Sequence, residues 1–284
     1  MFFLNQQHAH HQRLLPQTEH CLSCLLQLVY LLLHIRTASI ATPTSSHAHA
    51  RRPLLFYPKD QLSKRLDCSL DCSWALLTLV PSECFGSIVT VEVGPERRSF
   101  AIHKDLLCFY SDYIRAAFNG SFKEAAEGKI SLPDCDAKIF YIFNGFLYTR
   151  ELCSEAGKTG LELSSTTLSE LWVFGDVHLV PALRNLAIDC LIGRIQTLGS
   201  LLNTKIPYIY RRTVAGSPLR RMAIDWEVCS PSVTEDNLSC WPRIGLIELA
   251  IALSSKQAEH RSFRTLLQSR GKCYYHVHSE GEHC

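Results

Sequence analysis

The stretch Phe100–Ala125, FAIHKDLLCFYSDYIRAAFNGSFKEA, decides the fold. Just before it, Ile88–Val93 alternates, with Val89, Val91 and Val93 facing one way and Thr90 and Glu92 the other. A period of two marks a half-buried strand. Gly94-Pro95-Glu96-Arg97 makes a turn, and Phe100 and Ile102 continue the two-residue spacing, so the segment predicts a β-hairpin. The period then changes. Ile102, Leu106, Leu107, Tyr110, Ile114, Ala117 and Phe118 share one helical stripe, broken at Ser111, whose hydroxyl suits the cap of a second helix. Asn119-Gly120 ends that helix, with Gly120 expected in the left-handed conformation.

Downstream, Lys129–Leu132 reads as a short strand closed by Pro133-Asp134. Asp136 is placed to cap AKIFYIFNGFLYT (137–149), a helix apolar around most of its circumference and therefore buried on more than one side. The Gly-, Ser- and Thr-rich stretch Glu151–Thr166 is a loop. Thr167 is expected to cap LSELWVFGDVHL. Pro181 opens another helix, with Leu183, Leu186, Ala187, Cys190 and Leu191 on its buried face and Gly193 at its end. The order is strand, strand, helix, helix, strand, helix, helix, helix, an α+β domain over 86–200. A helical extension follows over 201–272. In it Ser217-Pro218 starts a helix carrying Leu219, Met222, Ala223 and Trp226, and Gly245–Leu253 forms another.

Charge excludes one class of partner. Between Gly86 and Ser200 there are 11 basic and 14 acidic residues, which gives no cationic face for nucleic acid. Arg211-Arg212 and Arg220-Arg221, with Asp225 and Glu227 nearby, read as a solvated face. The 13 cysteines are scattered rather than framed, as expected of thiols in a reducing compartment, with Cys108 and Cys190 acting as small core hydrophobes. Residues 1–66 read as a disordered leader rich in His, and 67–85 as a segment with a short helix over Cys68–Val80. Within the leader, the apolar run at 21–35 is too short for a comfortable membrane span, so no membrane partner is expected. The expected location is the cytoplasm or nucleus; a secretory signal built on 21–35, with small residues Ser39 and Ala41 after it, is the alternative.

Does His103 do chemistry? A general base needs a nucleophile or substrate group in hydrogen-bond reach and a third group to orient it. Asp105, two residues on, falls on a different side of a helix, and no G-x-S-x-G, H-E-x-x-H or P-loop pattern occurs. The expectation is no enzyme, and His103 is read as a residue at the helix start, bonding exposed backbone groups there.

The blocks SIVTVEVG, SFAIHKDLLCFYSDYIRAAFNGSFKEA, KISLPD, IFYIFNGFLYT and LSELWVFGDVHLVPALRNLAIDCLI, in that order over Ser87–Arg194, resemble a BTB/POZ domain. The later IPYIYRRTVAGSPLRRMAIDW looks like the segment that follows the domain in fungal members. The resemblance implies a small three-stranded sheet packed on a cluster of helices. It implies a scaffold or oligomerisation role through protein–protein contact, either with itself or as a substrate adaptor on a cullin-type ubiquitin ligase. In the family a hydrophobic residue, any residue, then Glu in the third helix marks the cullin surface; the matching positions are Phe140, Tyr141 and Ile142, so the acidic position is lost. Phe140 and Ile142 also fit a core role.

No cofactor is implied by the domain itself. The tail at 273–284, however, supplies Cys273, His276, His278 and Cys284, a candidate zinc set opened by a Cys-x2-His pair, and with it a zinc-dependent regulatory role.

Overall fold

In the computed structural model, residues 80–198, 205–229, 235–255, 262–271 and 273–278 are described. The expected leader with its 21–35 segment, the helix over 68–80 apart from Val80, and Cys284 lie outside them.

The hairpin forms as its alternation dictates. β1 (Ile88–Val93) pairs antiparallel with β2 (Arg98–His103), Val89 opposite Ile102 and Val91 opposite Phe100. β3 (Lys129–Leu132) then adds parallel to β1, Val91 opposite Ile130, giving the order β2-β1-β3. A parallel third strand needs a crossover, and three helices make it: α1 (Lys104–Tyr110), α2 (Asp112–Asn119) and α3 (Lys123–Glu127). The remaining elements are all helical. They are α4 (Ala137–Thr149), α5 (Ser165–Val177), α6 (Pro181–Leu198), α7 (Ile206–Arg212), α8 (Pro218–Cys229), α9 (Glu235–Ser239), α10 (Arg243–Ser254) and α11 (Phe263–Ser269). The class is α+β, a small mixed sheet covered by helices.

One face of the sheet (Val89, Val91, Val93, Phe100, Ile102, Ile130, Leu132) is buried. Phe140 of α4 stands on Phe100 with ring centroids 4.8 Å apart, and Phe143 and Phe174 complete an aromatic stack at 5.6 Å and 6.0 Å from Phe140. Each such ring removed from water contributes about 1.5–3 kcal/mol. α5 and α6 pack closely against each other behind this layer.

Two hydroxyl caps set the helix starts. The Ser111 hydroxyl accepts from Ile114 N at 3.0 Å, as the sequence predicts, and donates to His178 O at 2.6 Å, tying the α1–α2 turn to the end of α5. Asp136 caps α4, accepting from Lys138 N at 2.6 Å.

Several expectations are corrected. Ile102 belongs to β2, so the helical stripe starts at Leu106. Gly120 is extended (φ −86°, ψ −175°), not left-handed. It is glycine for room: a Cβ there would lie 2.7 Å from the Phe122 ring and 2.9 Å from Ala116 O. The short α3 went unforeseen, because its KEAAE buries nothing; Gly128 at φ 60° closes it. Ser164, not Thr167, caps α5: its Oγ accepts from Thr167 N at 3.0 Å, which starts the helix three residues earlier. Gly193 lies inside α6, which runs on to Leu198; a Cβ at Gly193 would meet Leu161 at 2.8 Å.

The expected solvated face on α8 is buried. Arg220, Asp225 and Glu227 are only 7%, 3% and 2% exposed. Arg220 is held by Thr213 Oγ1 at 3.0 Å, Tyr210 O at 2.8 Å and Thr213 O, and its guanidinium lies 4.4 Å from the Tyr210 ring. Asp225 accepts from Arg270 at 3.2 Å and from the Tyr275 hydroxyl at 2.6 Å. Buried ions persist when bonded in this way.

Candidate interaction surface

The other face of the sheet follows from the same alternation. With Val89, Val91 and Val93 inside, Ile88 must point outward, and it pairs directly with His103 at the end of β2. His103 is the N-cap residue of α1, yet its imidazole makes no capping bond. Its Nδ1 lies 3.0 Å from the hydroxyl of Tyr148 on α4, and its backbone N–H donates to the same oxygen at 3.3 Å. The reading of His103 as a ring that bonds backbone at the helix start is thus corrected: the tyrosine hydroxyl reaches it first. The Phe85 ring, from the 3₁₀ turn Ser82–Phe85, packs edge-on at 5.4 Å, and the Tyr148 ring at 5.9 Å.

Four elements therefore deliver Phe85, Ile88, His103 and Tyr148 to one place, where Phe85, Ile88 and Tyr148 remain 46%, 64% and 44% exposed. Among the described residues, the imidazole meets the Phe85 ring and the ring and hydroxyl of Tyr148. This arrangement offers apolar area with a polar tip, the composition of an interface anchor.

The positions expected to touch a partner lie elsewhere. Phe140 is fully buried and Ile142 nearly so. Both serve the core, because α4 is wedged between the sheet and α5. Tyr141 is half-buried under the Arg98 guanidinium, 5.7 Å from its ring, while Arg98 itself pairs with Glu155 at 2.5 Å. The outward register of Ile88 is the one sequence signal for the exposed group around His103; nothing in the pattern singles out Phe85 or Tyr148.

A second exposed apolar patch surrounds the turn between α5 and α6. Leu179 adopts φ 52°, a left-handed conformation rare for a leucine, and its side chain is half exposed, as are those of Val177 and of Tyr113, whose ring meets His178 edge-on at 5.5 Å. His178 beneath them stacks on Phe174 at 4.1 Å and makes a 2.9 Å bond from Nδ1 to Phe174 O. Burial lowers its pKa, so near neutral pH the ring is uncharged and Nδ1–H is the donor. It is a structural histidine.

The tail residues Cys273, His276 and His278 lie on a short irregular segment against α6 and α8. His276 Nε2 is 2.7 Å from Asp189 Oδ1. Among the described residues, no three His, Cys, Asp or Glu side chains already converge as a metal site. All eight described cysteines are thiols, and burial pushes those of Cys135 and Cys190 up to about 12, which makes them unreactive near neutral pH. Among the described residues no helix is long and apolar enough to cross a membrane.

Residues 82–171 match the family model of the BTB/POZ domain. The match begins at the turn that carries Phe85 and ends within α5, so it takes in the sheet, α1–α4 and all four side chains of the surface around His103.

Proposed function

We propose that this chain, a member of the BTB/POZ family, works by docking a second protein chain on the surface formed by Phe85, Ile88, His103 and Tyr148. BTB/POZ domains are protein–protein interaction modules. The observation that carries the assignment to this surface is the outward Ile88, 64% exposed and set among aromatic rings that a hydrogen bond holds in place. Rigid aromatic anchors at the centre of a patch supply most of the affinity of an interface, because they lose little entropy on contact. The partner tested first is a second copy, since one apolar patch repeated across a two-fold axis is self-complementary. A stable pair would bury about 1,200–2,000 Å² in all. The reading is of a scaffold or oligomerisation protein without catalysis, acting in the cytoplasm or nucleus.

Sedimentation of the full chain tests it. Wild type is expected at twice the 32.1 kDa chain mass, and Phe85→Ser with Ile88→Lys at the single mass. A variant that keeps the wild-type mass and every wild-type partner would overturn the assignment. The narrower reading, a substrate adaptor for a cullin-type ligase, has less support, because the position that is acidic in the family is the buried Ile142. Capture by a purified cullin scaffold at micromolar concentration would favour it, and no capture would remove it.

A further inference from the structure

The sheet ends at β2, which has β1 on one side and, among the described residues, no strand on the other. The ladder fixes which way each β2 residue turns its backbone. Lys104 N donates to Ser87 O at 2.8 Å, and bonded and unbonded pairs alternate along an antiparallel ladder. Arg98, Phe100 and Ile102 therefore exchange bonds with β1, while Ser99, Ala101 and His103 turn theirs outward. The far side of β1 agrees: Thr90 N donates to Gly128 O, which leaves Val89, Val91 and Val93 to face β2. The outward His103 N–H goes to the Tyr148 hydroxyl at 3.3 Å. Ser99 and Ala101 are exposed, and among the described residues nothing bonds their outward N–H and C=O groups.

An open edge pairs with another strand unless a charge, a proline or a bulge blunts it. The middle of β2 has none of these. Ser99 and Ala101 are small and neutral, and the register runs unbroken from Ile88–His103 to Val93–Arg98. α4 runs along this edge and leaves room beside it. Tyr141, Gly145 and Tyr148 share one face of α4, with Tyr141 at Arg98 and Tyr148 at His103. Gly145 lies between them, where an added Cβ would meet nothing within 4 Å.

We propose that β2 pairs antiparallel with β2 of a second copy, Ser99 opposite Ala101, joining two three-stranded sheets into one. This deepens the docking function proposed above and rests on its second copy. The register follows from the open groups. With Ser99 opposite Ala101, each pair exchanges two bonds, and a two-fold axis at Phe100 repeats the pair. A shift one way puts Ser99 opposite His103, whose N–H is already bonded to Tyr148; a shift the other way puts Ala101 opposite Arg97, outside the strand. No like charges meet inside the strand, because Arg98 falls opposite Ile102. Arg97 of each copy falls opposite His103 of the other, a guanidinium beside the His103 and Tyr148 rings. The two aromatic surfaces thus flank the axis and supply apolar area that the strand pairing alone lacks for a pair of about 1,200–2,000 Å².

Disulfide trapping of the full-length chain tests the register. Ser99→Cys chains and Ala101→Cys chains are mixed, oxidised mildly and digested, and linked peptides are identified by mass. Opposite residues lie about 5.5 Å apart and diagonal ones about 7–8 Å, so the mixture is expected to give a 99–101 link that neither variant gives alone. Sedimentation of Ser99→Pro, checked for folding by circular dichroism, reads the bonds. Proline removes an outward N–H and leaves the β1 ladder intact, and the pair should weaken about 30-fold for the two bonds lost across the axis. Absence of the 99–101 link from the mixture overturns the proposal, as does a folded Ser99→Pro that pairs as tightly as wild type, or a monomeric wild type. If Ser99→Pro does not fold, the link alone decides. The two readings separate cleanly. A 99–101 link that persists in chains also carrying Phe85→Ser and Ile88→Lys upholds the edge and sinks the aromatic surface; loss of pairing in that double variant, with no 99–101 link in the mixture, does the reverse.

Discussion

Glu227 sits in α8 with 2% of its surface exposed and, among the described residues, without an ion-pair partner, in contrast to Asp225 two residues earlier, which has Arg270 and Tyr275. Burial alone moves its carboxyl from the ordinary 4.5 up to about 7. Consider the sign. Below pH 4.5 the group is protonated in the folded and the unfolded chain, and it makes no difference to stability. As pH rises, the unfolded chain releases the proton first while the folded chain retains it. Stability is therefore lost between about pH 4.5 and 7, and the loss is complete and constant above that. At about 1.4 kcal/mol per pH unit, carrying the carboxyl from 4.5 to 7 amounts to about 3 kcal/mol. Glu227→Gln keeps the shape without the charge. Urea unfolding of wild type and variant from pH 4.5 to 8 measures the difference. The variant should match wild type at the acidic end and exceed it by about 3 kcal/mol at pH 8, about 1 M in the urea midpoint. Burial also raises Glu170 and Asp176, which tilts both curves down with pH, and lowers His178, which tilts both up; only their divergence belongs to Glu227. Curves that stay parallel from pH 4.5 to 8 would refute the reasoning, as would a variant that is weaker at pH 8.

Ser111→Ala removes a cap and, with it, the only described bond from the α1–α2 turn to His178 O; a loss of about 2–3 kcal/mol is expected in chemical unfolding, beyond the ~1 kcal/mol of a cap alone. Two glycine-to-alanine changes should go opposite ways in a melting experiment. At Gly175 a Cβ would meet Arg184 Cγ at 2.9 Å and Val180 O at 3.2 Å, so Gly175→Ala should destabilise by about 1–3 kcal/mol; at Gly145 of α4 nothing lies within 4 Å, so Gly145→Ala should stabilise by up to about 1 kcal/mol.

The domain was legible wherever one residue type served one local purpose. Val89, Val91 and Val93 gave the sheet face, Ser111 and Asp136 the caps, and Pro181 a helix start. Misreadings cluster where two causes share one residue type. Glycine at 120 and 193 was read for backbone freedom, but both positions use it for close approach, which depends on Phe122 and Leu161 arriving from elsewhere. Arg220, Asp225 and Glu227 read as surface because charge usually is; only Tyr210, Thr213, Arg270 and Tyr275, scattered over 66 positions, make a buried arginine and aspartate tolerable. The surface at His103 was half legible: alternation turns Ile88 outward, but a 45-residue separation hides Tyr148 from any local pattern.

The family match ends at 171, but the packing does not. Phe174, three residues later, closes the stack on Phe140 and Phe143, and Asp176 meets Arg184 of α6 at 3.2 Å. Glu170 of α5 faces Lys205 at 3.9 Å, and α6 then carries the Asn185 and Asp189 that hold the tail. Each contact joins a segment inside or next to the matched domain to one beyond it. Within the extension, Arg270 and Tyr275 hold the Asp225 carboxylate of α8, so the described residues 270–275 are pinned to that helix by a carboxylate that would be strongly disfavoured if left buried and unpaired. Through Glu170 and Lys205, and through the Asn185 and Asp189 contacts of α6, the described residues beyond 200 brace the helices that follow the matched sheet.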